Sequence, residues 1–181
     1  MMKRGESRQL LILLLIFAAL LVAGLVVTTQ QANQPAPEYP FLRVYPELSE
    51  SEIVAVRLRN PNADQSFTMT RDQNGAWITP EGLPINENGV LIARTLALLP
   101  YSQKITVLPG VDLTEYGFSL NSRLYVEIIL ADGNTHGVAI GGLAPTQLTY
   151  YALVDDQSEV YVILRPAVEY LIAQLINPPT A

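Results

Sequence analysis

Apolar and polar residues alternate in two separated stretches of this chain, and such alternation predicts strands with one buried face. In the first stretch, Ile53 to Arg59 (IVAVRLR), the side chains of Val54, Val56 and Leu58 share a face. Turn chemistry from Asn60 to Asp64, a β-rich run from Ser66 to Arg71, the Asn74-Gly75 pair and then Ala76 to Thr79 complete three short antiparallel strands. Gly89 to Leu99 changes period, with Ile92, Ala93, Leu96 and Leu99 at helical spacing, Asn86 or Asn88 as cap and Pro100 as terminator. Lys104 to Leu108 reads as a further strand, and Val111 to Phe118 as a helical turn closed by Gly117.

The second stretch, Arg123 to Leu130 (RLYVEIIL), turns Leu124, Val126, Ile128 and Leu130 inward, reverses at Asp132-Gly133 and returns through Thr135 to Ile140. Tyr150 to Val154 and Val160 to Leu164 form another hairpin across Asp155 to Ser158. Pro166 then opens a helix whose stripe is Val168, Leu171, Ile172 and Leu175, before Asn177-Pro178-Pro179 stops it. Strands followed by a helix, twice over, imply an α+β fold in which antiparallel sheet units are each followed by a packed helix.

A different pattern precedes all of this. Leu10 to Val27 is eighteen residues without a charge, fourteen of them Leu, Ile, Val or Phe. As a helix it would span about 27 Å, close to the hydrocarbon thickness of a bilayer. Each such side chain favours insertion by roughly 0.3 to 0.6 kcal/mol. Lys3, Arg4 and Arg8 lie before the run and no charge lies close after it, so the expected topology is a cytoplasmic N-terminus and an exported remainder. The alternative is a cleaved signal peptide ending near Val22-Ala23-Gly24; export follows either way. The expected organisation is a cytoplasmic tail at 1–9, a transmembrane helix at 10–27, a stalk at 28–40, a domain at 41–177 and a C-terminal tail at 178–181. The stalk carries Pro35, Pro37 and Pro40, which favour extended chain.

Composition narrows the chemistry. With no cysteine, the domain has no disulfide framework, thiolate metal site or acylated-cysteine tether. From Thr28 onward there are eight Lys and Arg against sixteen Asp and Glu, a balance of −8. Such a field repels phosphate backbones, so nucleic acid is not an expected partner.

The motifs Leu113-Thr114-Glu115-Tyr116-Gly117-Phe118, Asp132-Gly133, Ala139-Ile140-Gly141, Tyr150-Tyr151-Ala152 and Val160-Tyr161-Val162 follow one another in that order. From about Val54 to Ile176 the chain thereby resembles a broad bacterial family of uncharacterised exported domains, which share a "leucine, two residues, tyrosine, glycine, leucine" turn, a "DG" hairpin, an "IG" strand end and a "YYA" or "YVR" strand. Phe118 stands where that family usually has leucine, and the proline common shortly afterwards is absent from Ser119-Leu120-Asn121. The resemblance implies an N-terminal membrane helix and, as partners, gliding-motility-type ABC transporter components. It implies no catalytic residue.

Candidate chemistry is sparse. His136, the single histidine, has only Thr135 and Gly137 beside it, neither of which completes a base or a metal site. Asp155, Asp156 and Glu159 put three carboxylates in five residues, without the spacing of a calcium loop, and are expected to be a solvated turn. Glu127 and Glu169 are a separated carboxylate pair of the kind glycoside hydrolysis uses, which sequence spacing does not test. Gly141-Gly142 lacks any phosphate-loop pattern and is expected to let the chain leave the sheet. Tyr125, Tyr150, Tyr151, Tyr161 and Trp77 supply aromatic surface, and alternation places Tyr150 and Tyr151 on opposite faces.

The expected binding surface is therefore Tyr150, Tyr151, Tyr161, Gly141 and Gly142, with no catalytic, cofactor-binding or metal residue assigned. The expected role is a non-enzymatic, membrane-tethered interaction module, bound to lipid through residues 10–27 and accessory to an ABC-type transporter. A domain binding envelope polysaccharide or another exported ligand, and a carboxylate-based hydrolase, are the alternatives.

Overall fold

The computed structural model describes residues 42–108, 110–118, 122–155 and 158–180. The expected tail, transmembrane helix and stalk lie outside these residues, and among the described residues no helix is long and apolar enough to cross a membrane. Pro40–Ala181 makes up one compact unit.

Among the described residues nine strands form one antiparallel sheet. In chain order they are β1 (Leu42–Arg43), β2 (Ile53–Asn60), β3 (Gln65–Arg71), β4 (Trp77–Ile78), β5 (Pro100–Thr106), β6 (Leu124–Leu130), β7 (Thr135–Leu143), β8 (Thr149–Val154) and β9 (Glu159–Leu164). Their order across the sheet is β1-β5-β9-β8-β7-β6-β2-β3-β4. Two helices, α1 (Asn88–Ala97) and α2 (Arg165–Ile176), accompany it.

This corrects the expected α+β arrangement of sheet units each followed by a helix. The two halves do not build separate sheets. β2 pairs with β6 in a register that sets Val56 against Ile128 and Leu58 against Val126, and β5 pairs with β9. Alternation fixes which face a strand buries, but it carries no information about which distant strand supplies its neighbour.

Both helices share one core with one face of the sheet. Val168, Leu171 and Leu175 of α2 and Ile92, Ala93 and Leu96 of α1 join Leu58, Met69, Ile128 and Ile140 in a single cluster. Each large side chain so buried stabilises the fold by about 1.5 to 3 kcal/mol relative to exposure. α2 lies against β2, β3, β8 and β9, and so bridges strands on either side of the central β6 and β7.

Local details follow their residues. A bulge between Ile53 and Ala55 turns Ile53 into the core and leaves Val54 half-buried, which shifts the expected inward set by one position at that end. Helix α1 ends at Ala97, and Pro100 opens β5 rather than closing the helix directly. The Asn86 side chain accepts from the Asn88 N–H at 3.0 Å, tying down one free donor at the start of α1. β7 runs through Gly141 and Gly142 to Leu143, so the paired glycines do not release the chain from the sheet as expected. The last described residues belong to the fold, since Thr180 bridges to Ile85 and Pro179 accepts from the Asn86 N–H at 3.0 Å.

Candidate functional site

The helices cover one face of the sheet, and the cross-strand registers show what stands on the other. One row there reads Ser66, Arg59, Tyr125, Ala139, Leu153, Val160 and Ile105 from β3 to β5. The adjacent row reads Thr68, Arg57, Glu127 and Gly137. The face is therefore charged over β2 and β6, nearly bare over β7, and apolar over β8 and β9.

The chain's own loop packs on this apolar part at Tyr151, while Leu153 stays half-buried at the edge of the cleft. A 3-10 turn, Leu113–Tyr116, is capped by the Asp112 carboxylate, which accepts from the Thr114 N–H at 2.9 Å. That backbone bond first, and one with the Thr114 side chain second, hold the Asp112 carboxyl below its usual range. Gly117 closes the turn at φ 78°, a left-handed geometry that favours glycine. Tyr116 then meets Tyr151 edge to face, with ring centroids 5.0 Å apart. Gly141 is bare because the Tyr116 carbonyl occupies its side-chain position, with an added Cβ only 2.4 Å from that oxygen.

Among the described residues the charged part has no such cover, and a cleft of about 1230 Å³ lies over it, bordered by Arg59, Tyr125, Glu127, Gly137, Leu113 and Leu153. Arg57 Nη1 reaches Glu127 Oε2 at 2.9 Å, an exposed ion pair. Arg59 Cζ sits 5.3 Å from the centre of the Tyr125 ring, within cation–π range. Among the described residues the Arg59 guanidinium has no carboxylate or other hydrogen-bond partner. A Cβ built on Gly137 would meet nothing within 4 Å, so the floor beside Glu127 is empty space.

Of the expected surface residues, Tyr150 and Tyr161 are buried on the helix-covered face, at 4% and 2% exposure, Gly141 is buried under the Tyr116 carbonyl, and Gly142 is half-buried beside Gly117. Tyr151 is half-buried on the opposite face against Tyr116. These five residues do not come together as one surface. Tyr161 instead packs edge-on to Tyr101 at 5.1 Å, and Lys104 Nζ lies 4.7 Å from its ring centre and 3.1 Å from Glu159. The Tyr161 hydroxyl first, and Glu159 second, hold the Lys104 ammonium above its usual range.

His136 gains the neighbour that its sequence surroundings lack. Asp155, just past the end of β8, accepts from the Gly137 N–H at 2.7 Å with one oxygen and faces His136 Nδ1 at 3.1 Å with the other. The Tyr45 ring packs against the imidazole at a centroid distance of 4.4 Å, tilted by 35°. Only the β7–β8 register, Val138 against Val154, makes this meeting visible, and that register is not written in either hairpin alone. The pair lacks a nucleophile: among the described residues no hydroxyl is bonded to the second ring nitrogen.

The other carboxylates separate. Asp155 serves His136 while Glu159 serves Lys104, and Asp156 lies outside the described residues. Glu127 stands on the open face beside Arg57, whereas Glu169 pairs with Arg165 on α2 at 2.6 Å, across the sheet. Among the described residues no three metal-ligating side chains gather. Arg59 and the open part of β7 are the features that residue-by-residue reasoning missed. The signal available was the IVAVRLR alternation itself, which sets Arg57 and Arg59 together on the face opposite Val56 and Leu58.

No family model, curated protein or solved structure matches this chain.

Proposed function

We propose that the chain is a non-enzymatic, membrane-tethered module of the cell exterior that works by binding a partner protein on the open half of its sheet, as an accessory to an ABC-type transporter. The observation that carries the reading is the asymmetry of the sheet. One face is sealed by two helices, while the other leaves an arginine-tyrosine pair beside an uncovered stretch of strand over a broad, shallow cleft. Shallow, mixed charged and aromatic surfaces suit partner proteins better than small substrates, which favour deep and enclosed apolar sites. The apolar run at 10–27 supports the tether, and the family resemblance supports the partner class.

Photocrosslinking tests the reading. A photoreactive residue at Thr68, on the open face, is compared with one at Ala173, exposed on α2, in the full chain within intact cells. The expected result is a crosslink from position 68 to a permease or ATPase-associated subunit, and none from position 173. Recovery of the uncrosslinked chain from both positions would count against the module, and recovery of the full-length chain in a soluble cytosolic fraction would remove the tether.

A further inference from the structure

The open face is graded, and the gradient specifies what fits it. Along the row Ser66, Arg59, Tyr125, Ala139 and Leu153, charge stands at one end and an aliphatic side chain at the other. The side chain between them at β7 is a methyl group, and Gly137 in the neighbouring row has none. Arg59 on β2 and Leu153 on β8 are three strand spacings apart, about 14 Å at roughly 4.8 Å per spacing. That is the separation of side chains i and i+4 in an extended segment, about 13 Å at roughly 3.3 Å per residue, and both would point to the same face.

Charge complementarity decides the sign. Arg57 is neutralised by Glu127 at 2.9 Å, whereas the Arg59 guanidinium rests on Tyr125 with no carboxylate partner among the described residues. A cation–π contact engages none of the guanidinium N–H groups with an oxygen acceptor, so they stay available for two parallel bonds to a carboxylate. At the other end Leu153 is half-buried, and Leu113 and Phe118 of the covering loop border the same cleft. The exported part of the chain is acidic overall, with a balance of −8 from Thr28 onward, so a polyanion is repelled at long range. A single carboxylate delivered to Arg59 gains locally, within a screening length of about 8 Å.

We propose that this row seats an extended segment of the partner protein, with a carboxylate side chain on Arg59 and an aliphatic side chain four residues further along on Leu153. The inference rests on the open face being the partner-binding surface and adds the chemistry of its occupant. Bridging the gap over Gly137 and Ala139 needs main chain with small side chains, which an extended segment supplies.

Fluorescence anisotropy on the full chain in detergent tests it with four labelled probes: the pentapeptide Asp-Ala-Ser-Ala-Leu, the same peptide with Lys for Asp, Asp-Leu-Ser-Ala-Ala with the leucine moved next to the acid, and laurate. The expected result is saturable binding of the first peptide only, weakened at least tenfold by Arg59→Gln and again by Gly137→Leu, which fills the floor. Thermal unfolding of both variants confirms that the fold persists. Equal binding of the lysine peptide, equal binding of the shifted-leucine peptide, or no effect of Arg59→Gln would overturn the proposal. Binding of laurate with the same dependence on Arg59 would overturn the peptide as occupant in favour of an anionic amphiphile. If no peptide binds while Thr68 still crosslinks a transporter subunit, this inference fails and the proposed function survives; if Thr68 crosslinks nothing, the proposed function fails first.

Discussion

One methyl group, added at two glycines of β7, should move stability in opposite directions. At Gly141 a Cβ would lie 2.4 Å from the Tyr116 carbonyl oxygen and 2.9 Å from Phe118 Cε1. Because Cβ contacts under 3.0 Å essentially do not occur, the carbonyl must retreat by at least 0.6 Å. It belongs to a turn fixed at both ends, by the Asp112 cap and by Gly117, so the strain is not absorbed by a flexible side chain. Overpacking of this kind costs about 1 to 3 kcal/mol. Lifting the turn instead would forfeit the Tyr116–Tyr151 contact, about 0.5 to 1.5 kcal/mol. Gly137 has open space around its missing Cβ and no positive φ, so Gly137→Ala should stabilise by about 0.4 to 1 kcal/mol through the unfolded chain alone. The same entropic gain partly offsets the clash at Gly141. The two variants should therefore differ by about 2 kcal/mol, or roughly 4 to 8 °C in Tm for a domain of this size. Urea unfolding followed by fluorescence of Trp77, the single tryptophan and 4% exposed, reads the difference directly. Equal stability of Gly141→Ala and Gly137→Ala, within about 0.5 kcal/mol, would show that the covering loop does not press on β7 as described.

Two further tests concern the core. Trp77 Nε1 is buried with no hydrogen-bond partner among the described residues, and an unsatisfied buried donor costs about 1 to 3 kcal/mol. Trp77→Phe sheds that cost along with some packing, so circular-dichroism melting should show a net change within about 1 kcal/mol, where Trp77→Ala loses about 3 to 5; a loss for the phenylalanine variant as large as for alanine would mean that the indole N–H has a partner. Burial first, then the charge of Asp155, the nearby Tyr161 and a hydrogen bond with Asp155, hold the Tyr45 hydroxyl far above its ordinary 10.0. The folded state keeps a proton that the unfolded chain releases, so this contribution is complete below pH 10 and declines above it, by about 1.4 kcal/mol per pH unit. Tyr45→Phe has no such proton, and its stability should fall less steeply than wild type between about pH 10 and 12; parallel curves would contradict the burial argument.

How far the sequence speaks depends on whether a feature is local. The Asp132-Gly133 hairpin, the Gly117 closure and the proline at the start of α2 each rest on residues a few positions apart, and each is present. The bulge at Ile53 to Ala55 was not legible, because both registers of IVAVRLR offer aliphatic side chains and only the partner strand chooses between them. Gly141-Gly142 departs from its expected role for a related reason. A glycine that accommodates another segment's carbonyl looks the same in sequence as one that adopts an unusual φ, and here the neighbour is Tyr116, some 25 positions earlier.

The interleaving of the halves explains both the single sheet that replaces the expected α+β units and the surface that the fold leaves open. β2, from the first half, pairs with β6, from the second, and β5 returns to pair with β9 at the far side. This places both helices on one face, since each follows strands whose apolar side chains point the same way into one cluster. With both helices spent on that face, the other has, among the described residues, the loop around Leu113–Tyr116 to cover it, and that loop, anchored at Gly141 and Gly142, stops over the apolar strands. Over β2 and β6 the positions on that face are instead Arg57 and Arg59, which are exposed, and Tyr125 and Glu127, which are half-buried, side chains with polar ends that tolerate water. The bare stretch at Gly137 and Ala139 then marks the boundary between the covered and the uncovered parts, which is why the charge gradient and the empty floor meet at the same strand.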